Sequence, residues 1–269
     1  MGKPQNAERP RIVTTSWDDG DRRDLRLAEI LRSREIQGTF YIPITPYRSP
    51  ALSHAELRAL SSEGFEIGAH GFSHKHLWKL SPEGLAEEIN PCKPILEDIL
   101  GTEVRMFCYP RGRYDSNVVR TVKEAGYWGA RTVRMLATRP GFDPFEVPTT
   151  VQVVPNPRFN YVKNIARARK MEGLQVFWAQ MTELGNWVDL GKSLFDSVIR
   201  DGGIWHLWGH SWEIDEQGLW KDLEQMLDYV CKREGVTYIP NWELIPFSSP
   251  RKRSNMPREL EPYENNHRS

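Results

Sequence analysis

Carboxylate and imidazole side chains stand at metal-ligand spacing in two segments of the sequence. Asp18 and Asp19 are adjacent after the apolar run RIVTTSW, and His70 and His74 are four residues apart in AHGFSHKHL. Two histidines at i and i+4, a carboxylate and an open position are typical of a catalytic zinc site. The same trio suits Fe(II), cobalt or nickel. A bound cation would offset the repulsion between the adjacent carboxylates, and the carboxylate left off the metal could act as a base.

Further polar and aromatic side chains follow two later apolar runs, in PRGRYD (110–115) and GHSWE (209–213): Arg111, Arg113, Tyr114, His210, Trp212 and Glu213. An arginine such as Arg113 could bind an anionic group of a substrate, a phosphate or a carboxylate. Trp212 could stack on the face of a sugar. We therefore assign Arg113, Trp212 and the neighbouring Glu213 to substrate binding.

Apolar runs alternate with amphipathic stretches along most of the chain. Strands are predicted over 11–17, 38–44, 65–69, 103–109, 127–133, 202–208 and 236–239, and helices over 22–34, 53–63, 81–100, 115–126 and 215–233. This alternation favours a parallel sheet with helices outside, and at this length a (β/α) barrel fits better than an open sheet. In such a barrel the loops after the strands meet at one face, which would bring the polar segments together.

Composition bounds the domain organisation and the class of partner. The 269 residues suffice for one large domain, predicted over 11–247, with an N-terminal extension (1–10), an insertion (134–200) and a polar C-terminal tail (248–269). Lys plus Arg and Asp plus Glu both number 36, so the formal net charge is zero, which argues against a nucleic-acid surface. We find no signal peptide and no membrane span, and three scattered cysteines favour a reducing compartment, so a cytoplasmic location is expected. The oligomeric state is not indicated.

The order of the motifs resembles a known family. DDG, then H-x-x-x-H, then R-x-x-Y and a late strand ending in histidine are similar to the polysaccharide deacetylase family, which has the NodB homology domain and forms carbohydrate esterase family 4. The resemblance covers roughly residues 11–245. It implies a distorted seven-stranded (β/α) barrel and a divalent metal held by one aspartate and two histidines.

The resemblance also implies roles for the residues that match the motifs. Asp19, His70 and His74 would hold the metal. Asp18 would be the general base, and Arg111 would orient it.

The remaining roles concern the oxyanion and the leaving amine. The backbone N–H of Tyr114 would help to bind the oxyanion, and His210 would protonate the departing amine. The family's D-x-x-D-W motif, which tunes this histidine, has only E-x-x-N-W (183–187) as its nearest match. Glu183, Asn186 and Asp189 are therefore all candidates for the partner of His210.

The expected activity is metal-dependent hydrolysis of an N-acetyl group on an acetamido sugar, releasing acetate and an amine. The sugar could be free, nucleotide- or lipid-linked, or part of a natural product or glycan. Zinc is the first candidate cation, with Fe2+, Co2+ and Ni2+ left open. Two alternatives are a hydrolase of another C–N bond, such as a cyclic amide or a formamide, and a non-catalytic carbohydrate-binding relic.

Overall fold

The computed structural model describes residues 9–154 and 186–249. The middle of the predicted insertion, which includes Glu183, and nearly all of the predicted polar tail lie outside these residues.

Eight parallel strands form one sheet in the described part of the chain. They are β1 (Arg11–Asp18), β2 (Thr39–Ile42), β3 (Glu66–Ala69), β4 (Met106–Cys108), β5 (Gly129–Arg131), β6 (Val151–Gln152), β7 (Gly203–Gly209) and β8 (Thr237–Tyr238). The order across the sheet is β5-β4-β3-β2-β1-β7-β6, with the short β8 paired to β1. Because the strands are parallel, their carboxyl ends share one edge.

The sheet is curled, so that one short segment of the chain connects its two edge strands, β5 and β6. Val147 pairs with Arg131 of β5, and a few residues later β6 pairs with β7. The predicted barrel-like α/β fold is therefore confirmed as seven parallel strands in a curled half-barrel, with the eighth strand short and lateral.

Alternate residues of the strands pack on opposite faces of the curled sheet. Val13 and Trp17 of β1 belong to the large hydrophobic cluster between sheet and helices. Ile12 belongs to a second, smaller cluster inside the barrel, where Leu244 and Ile245 of the 3₁₀ segment Asn241–Phe247 also lie. This period of two turns Asp18 to the same face as Ile12, toward the interior.

Eight α-helices are described: α1 (Asp24–Ser33), α2 (His54–Ser62), α3 (Pro82–Ile89), α4 (Cys92–Leu100), α5 (Ser116–Glu124), α6 (Trp187–Asp201), α7 (Ser211–Glu216) and α8 (Trp220–Val230). Helix α2 follows Ser53, the first residue of the predicted helix 53–63, and Ser53 and Glu56 form a reciprocal capping box. None of these described helices has the length and apolar composition needed to cross a membrane.

Two predicted helices are wrong in length. The stretch 81–100 is two helices, because Pro91 lacks an N–H donor and cannot continue the first of them. The stretch 215–233 is interrupted at Gly218, whose φ of 68° is outside the helical range. Helix α6, which lies in the predicted insertion, was not predicted.

Candidate metal centre and active site

Predicted site residues gather at the carboxyl edge of the sheet, together with Cys108 and Arg131, to which the sequence assigned no role in the site. Asp18 ends β1, His70 follows β3, Cys108 ends β4, Arg131 ends β5 and His210 follows β7. This is the edge at which parallel (β/α) barrels assemble their chemistry.

Asp19, His70 and His74 present ligand atoms to one point. Oδ1 of Asp19 lies 3.4 Å from Nε2 of His74 and 3.7 Å from Nε2 of His70. All three residues are buried, and in the described part of the chain Oδ1 of Asp19 has no hydrogen-bond partner. A buried carboxylate oxygen without a donor is costly, so these three side chains fit a bound cation.

The spacing of these atoms fits a small tetrahedral cation. Two ligands that each bind a tetrahedral zinc at about 2.1 Å stand about 3.4 Å apart, close to the two distances from Asp19. Asp18, His70 and Cys108 also lie near one another as a second group of ligand-type side chains. Burial raises the pKa of the Cys108 thiol well above its usual value, so this group offers a protonated sulfur and is the poorer ligand set.

The protonation of both histidines suits ligation. Nδ1 of His70 lies 2.9 Å from the carbonyl oxygen of Cys108, to which it can donate, leaving Nε2 with a free lone pair. Burial, together with the charges of His70 and Arg111, lowers the pKa of His74 to about 3. His74 is therefore a neutral imidazole, and the ring of Tyr47 packs on it with centroids 4.1 Å apart.

A buried glutamate fixes the loop that carries both histidines. Oε1 of Glu88, on α3, accepts a hydrogen bond from the hydroxyl of Ser73 at 2.6 Å, and Oε2 accepts one from its backbone N–H at 2.9 Å. Lys75 forms an ion pair with the same carboxylate at 3.0 Å. The sequence reasoning gave no role to Glu88, which acts here by holding the loop on α3.

Several residues of the candidate site have a left-handed backbone conformation, which sets the direction of their side chains. Six non-glycine residues have positive φ in residues 9–154 and 186–249, and three of them are predicted site residues: Asp19 (82°), His74 (56°) and Arg111 (59°). Such conformations cost free energy for residues with a Cβ and concentrate at functional sites. The turn after β1 is thus shaped to separate Asp19 from Asp18.

Trp212 contacts the candidate ligand rather than open solvent. Its indole Nε1 donates a hydrogen bond of 2.9 Å to Oδ2 of Asp19, which leaves Oδ1 for the histidine side. The guanidinium of Arg48 covers the indole ring at 3.5 Å from the centroid. The indole N–H thus orients a candidate metal ligand, and the predicted stacking of Trp212 on a sugar stays a prediction.

The arginine bound to Asp18 is Arg131, and not the predicted Arg111. Arg131 donates from Nη2 to Oδ1 of Asp18, and both side chains are buried. Burial is the largest single effect and raises the pKa of Asp18, but the charge and hydrogen bond of Arg131, together with His70 and His210, outweigh it and hold the pKa below its usual value. Arg111 instead lies near Tyr47, with Nη2 3.5 Å from the phenol oxygen.

The strand period explains this correction. Arg131 occupies an interior-facing position of β5, where Tyr41 and Trp208 lie with ring centroids 5.3 and 4.9 Å from its guanidinium carbon. A signal was present in the sequence, because an arginine within the apolar run YWGARTV needs a buried counter-charge.

His210 has Glu213 as its partner. Nδ1 of His210 donates to Oε2 of Glu213 at 3.0 Å, and Nε2 lies 4.0 Å from Asp18 and 3.9 Å from Asp19. Burial lowers the pKa of His210, but the bond to Glu213 and the charges of the two aspartates outweigh it and leave the pKa raised. Glu213 therefore contacts His210, and its predicted substrate-binding role stays a prediction.

The three candidates predicted for that partner, Glu183, Asn186 and Asp189, are engaged elsewhere or lie outside the described residues. Asn186 caps helix α6 and donates to Asp189 at 2.8 Å. Glu183 belongs to the segment that the structure does not describe.

Tyr114 stacks on Tyr109 at a centroid distance of 4.4 Å, and its predicted oxyanion role stays a prediction.

Comparison with known proteins gives the same family as the motifs. The family model described as polysaccharide deacetylase matches residues 5–130, which include the predicted ligands and end one residue before Arg131. An uncharacterized protein of Streptomyces coelicolor is 27% identical over 115 residues, which are 43% of this chain and 45% of that protein. The matched segment therefore spans less than half of this curated relative.

Solved structures share the fold. A Mycobacterium smegmatis protein assigned to the polysaccharide deacetylases superposes with a TM-score of 0.65 at 16% identity, covering 96% of this chain and 95% of that one. A Bacillus anthracis pseudoenzyme of the CE4 family gives 0.52 at 15% identity, covering 88% and 66%. The resemblance read from the motifs is confirmed, and at these identities the structural likeness concerns the fold alone.

Proposed function

We propose that this polysaccharide deacetylase-like chain is a metal-dependent hydrolase that removes an N-acetyl group from an acetamido sugar. The observation that carries the proposal is the convergence of Asp19, His70 and His74 beside a second, separately held carboxylate, Asp18. The sugar can be free, nucleotide- or lipid-linked, or part of a glycan.

Asp19, His70 and His74 would hold the cation, with zinc as the first candidate and Fe2+, Co2+ or Ni2+ as alternatives. When bound, such a cation supplies Lewis-acid polarisation of the amide carbonyl and a lowered pKa of water. Trp212 and the carbonyl of Cys108 orient two of these ligands through hydrogen bonds.

Asp18 is the proposed general base. Its Oδ1 is occupied by Arg131, so Oδ2 is the oxygen left to accept a proton. The low pKa of Asp18 keeps this carboxylate ionised near neutral pH, as a base must be before the reaction.

His210 is the proposed general acid. Glu213 fixes its ring through Nδ1, which leaves Nε2 turned toward the two aspartates. Its raised pKa favours the protonated ring that an acid requires, opposite to the shift at Asp18.

The reaction balances with these two groups. Water oxygen bonds to the acetyl carbon, Asp18 takes a water proton, the C–N bond breaks, and His210 gives a proton to the nitrogen. The backbone N–H of Tyr114 is proposed to donate to the oxyanion, and donors of this kind are worth about 3–4 kcal/mol. The acetic acid formed gives its remaining proton to the amine or to solvent, and the proton on Asp18 returns to His210, so acetate and an amine leave.

Acetate release tests the proposal. The purified chain is stripped of metal, reloaded with each of the four cations, and assayed on acetamido sugars, cyclic amides and formamides, with Asp18→Asn as the inactive control. Metal-dependent acetate release that Asp18→Asn abolishes supports deacetylation. Turnover of cyclic amides or formamides alone would favour the other C–N hydrolase.

One observation favours the non-catalytic alternative: one of the structural neighbours is a pseudoenzyme. Sugar binding without hydrolysis by the metal-loaded chain would favour it. The complete set of Asp18, Asp19, His70, His74 and His210 supports catalysis instead.

A further inference from the structure

Three cations and two aromatic rings form a cluster beside the candidate metal centre, which we call the basic rim: Tyr47, Trp78, Lys79, Arg111 and Arg113. Tyr47 is 40% exposed and Trp78 39%, and they are the large hydrophobic side chains exposed within the described part of the chain. The exposed aromatic surface of these residues is therefore concentrated in the rim.

Tyr47 connects the rim to the metal centre. One part of its ring packs against the imidazole of His74, at a centroid distance of 4.1 Å. The guanidinium of Arg111 lies 5.8 Å from the same phenol ring, so one aromatic side chain separates this cation from a proposed ligand.

The other two cations of the rim lie close to the ring of Trp78. The guanidinium of Arg113 lies 5.6 Å from its ring centroid, and Nζ of Lys79 lies 5.1 Å from it. Trp78 and Lys79 belong to the short 3₁₀ helix Leu77–Lys79, three residues after His74. The rim therefore extends the loop that carries the ligands.

In the part of the chain that the structure describes, the rim cations have no acidic partner. Among residues 9–154 and 186–249, no carboxylate lies within 4.0 Å of Arg111, Arg113 or Lys79, whereas nearby Arg48 and Arg134 are paired with Glu216 and Glu146. Because the chain has no net charge, three cations at one place with no acidic partner among the described residues are a local excess. Such an excess raises the local concentration of anions.

The turn that carries both arginines is packed in place. Arg111 and Gly112 both have left-handed φ, 59° and 64°, and a Cβ on Gly112 would collide with the side chain of Val133. Flanking this fixed glycine, one arginine reaches Tyr47 and the other reaches Trp78. A site shaped before binding loses little conformational entropy when a ligand arrives.

We propose that the basic rim binds a negatively charged oxygen group, a phosphate or a carboxylate, on the acetamido sugar whose N-acetyl group enters the metal centre. Guanidinium groups match the oxygens of both anions in a two-point contact. Tyr47 and Trp78 offer aromatic faces for the sugar ring. This inference rests on the proposed function for the identity of the sugar, but its test is equilibrium binding.

The test compares charged and uncharged sugars on the zinc-loaded chain. Calorimetry gives the dissociation constants of N-acetylglucosamine, N-acetylglucosamine 1-phosphate and N-acetylmuramic acid, for the natural sequence, for the double variant Arg111→Gln with Arg113→Gln, and for Arg120→Gln. Arg120 is an exposed arginine on α5 outside the rim and serves as the matched control. We expect one of the anionic sugars to bind about 10- to 100-fold more tightly than the neutral one.

The double variant should reduce that ratio to about one, whereas Arg120→Gln should keep it. The stronger anionic ligand identifies the group as phosphate or carboxylate. Equal binding of all three sugars, or a preference that survives in the double variant, would overturn the inference. Absence of acetate release from every sugar, with the binding preference intact, would contradict the proposed activity and leave the anion site standing.

Discussion

Arg131 and Asp18 form a buried ion pair between the carboxyl ends of β5 and β1. The two strands lie four positions apart in the sheet order, so the pair joins distant parts of the curled sheet. The ion pair also gives the two carboxylate oxygens of Asp18 different neighbours: Oδ1 accepts a hydrogen bond from Arg131, and Oδ2 faces His210. One contact thus orients the proposed base.

Removing Arg131 should destabilise the fold strongly. Arg131→Met leaves Asp18 buried without a counter-charge, a loss that typically costs about 3–5 kcal/mol. Urea unfolding measures it, with Arg134→Met as the control, because Arg134 belongs to a half-exposed pair that contributes about 1 kcal/mol or less. Adding Asp18→Asn to Arg131→Met should recover part of the loss. Equal effects of the two methionine variants would contradict the pairing.

Trp212→Phe should weaken metal binding without unfolding the chain. The substitution keeps an aromatic ring but removes the N–H that holds Oδ2 of Asp19. Loss of an outer-shell hydrogen bond typically lowers metal affinity about 10- to 100-fold. Competition with a chelator measures the zinc dissociation constant. Trp220→Phe is the matched control, since its N–H binds Asp215; equal affinities in both variants would refute the role.

His210→Ala should retain the metal and lose about 10²–10⁴-fold in turnover, because the acid is removed while the ligands stay. Elemental analysis and acetate release separate the two effects. Loss of the metal in this variant would show that His210 is a ligand.

Glu213→Gln should shift the alkaline limb of the rate profile to lower pH. The carboxylate raises the pKa of His210, and an acid loses activity as pH rises through its pKa. Removing the negative charge lowers that pKa, so activity should fall earlier on the alkaline side. The pH dependence of kcat/KM measures this shift, and an unchanged limb would contradict the assignment of His210 as the acid.

Gly112→Ala should destabilise the arginine turn. It combines an unfavourable φ of 64° with a collision against Val133. Gly64→Ala also places alanine at positive φ, but in open space, so the difference between them isolates the collision, expected at about 1–3 kcal/mol. Thermal unfolding measures both variants. If the turn packs as described, adding Val133→Ala should recover the part of the loss that comes from the collision, while the cost of the positive φ remains.

Glu66 should make the fold less stable as pH rises. Burial raises its pKa to about 7, against opposing hydrogen bonds from Thr39 and the Trp242 backbone. Between about pH 4.5 and 7 the unfolded chain has released this proton and the folded chain keeps it, so unfolding is increasingly favoured with rising pH, by at most about 1.4 kcal/mol per pH unit. Glu66→Gln should flatten this part of the curve in urea titrations. Parallel curves for the two proteins would exclude this effect.

The sequence predicted the positions that follow directly from strand ends. Asp19, His70 and His74 are brought together because parallel strands share a carboxyl edge, and an apolar run followed by polar residues is visible in the sequence. The same reasoning placed His210 beside the aspartates.

Side-chain direction was harder to predict. Arg111 matched a motif by spacing, but its φ of 59° is a property of the folded turn, and its side chain reaches Tyr47 instead of Asp18. Arg131 lies on a strand that spacing marked only as apolar. Knowing which face of β5 is interior requires the register of the whole sheet.

Helix ends depended on single residues. Pro91 and Gly218 each interrupted a helix that hydrophobic spacing alone had extended. Helix α6 had a readable start, since Asn186 caps it and apolar residues recur along it, but it lay within a stretch treated as one irregular insertion.

At Asp19, His74 and Arg111, where the backbone is left-handed, thermal stability and the proposed function favour different residues. Glycine would relax each position, where a residue with a Cβ typically costs about 1–2 kcal/mol. Each such exchange would also delete a proposed ligand or a rim cation. A mutant library screened for survival on heating alone should therefore enrich glycine at these positions, and its most robust members would be poor catalysts.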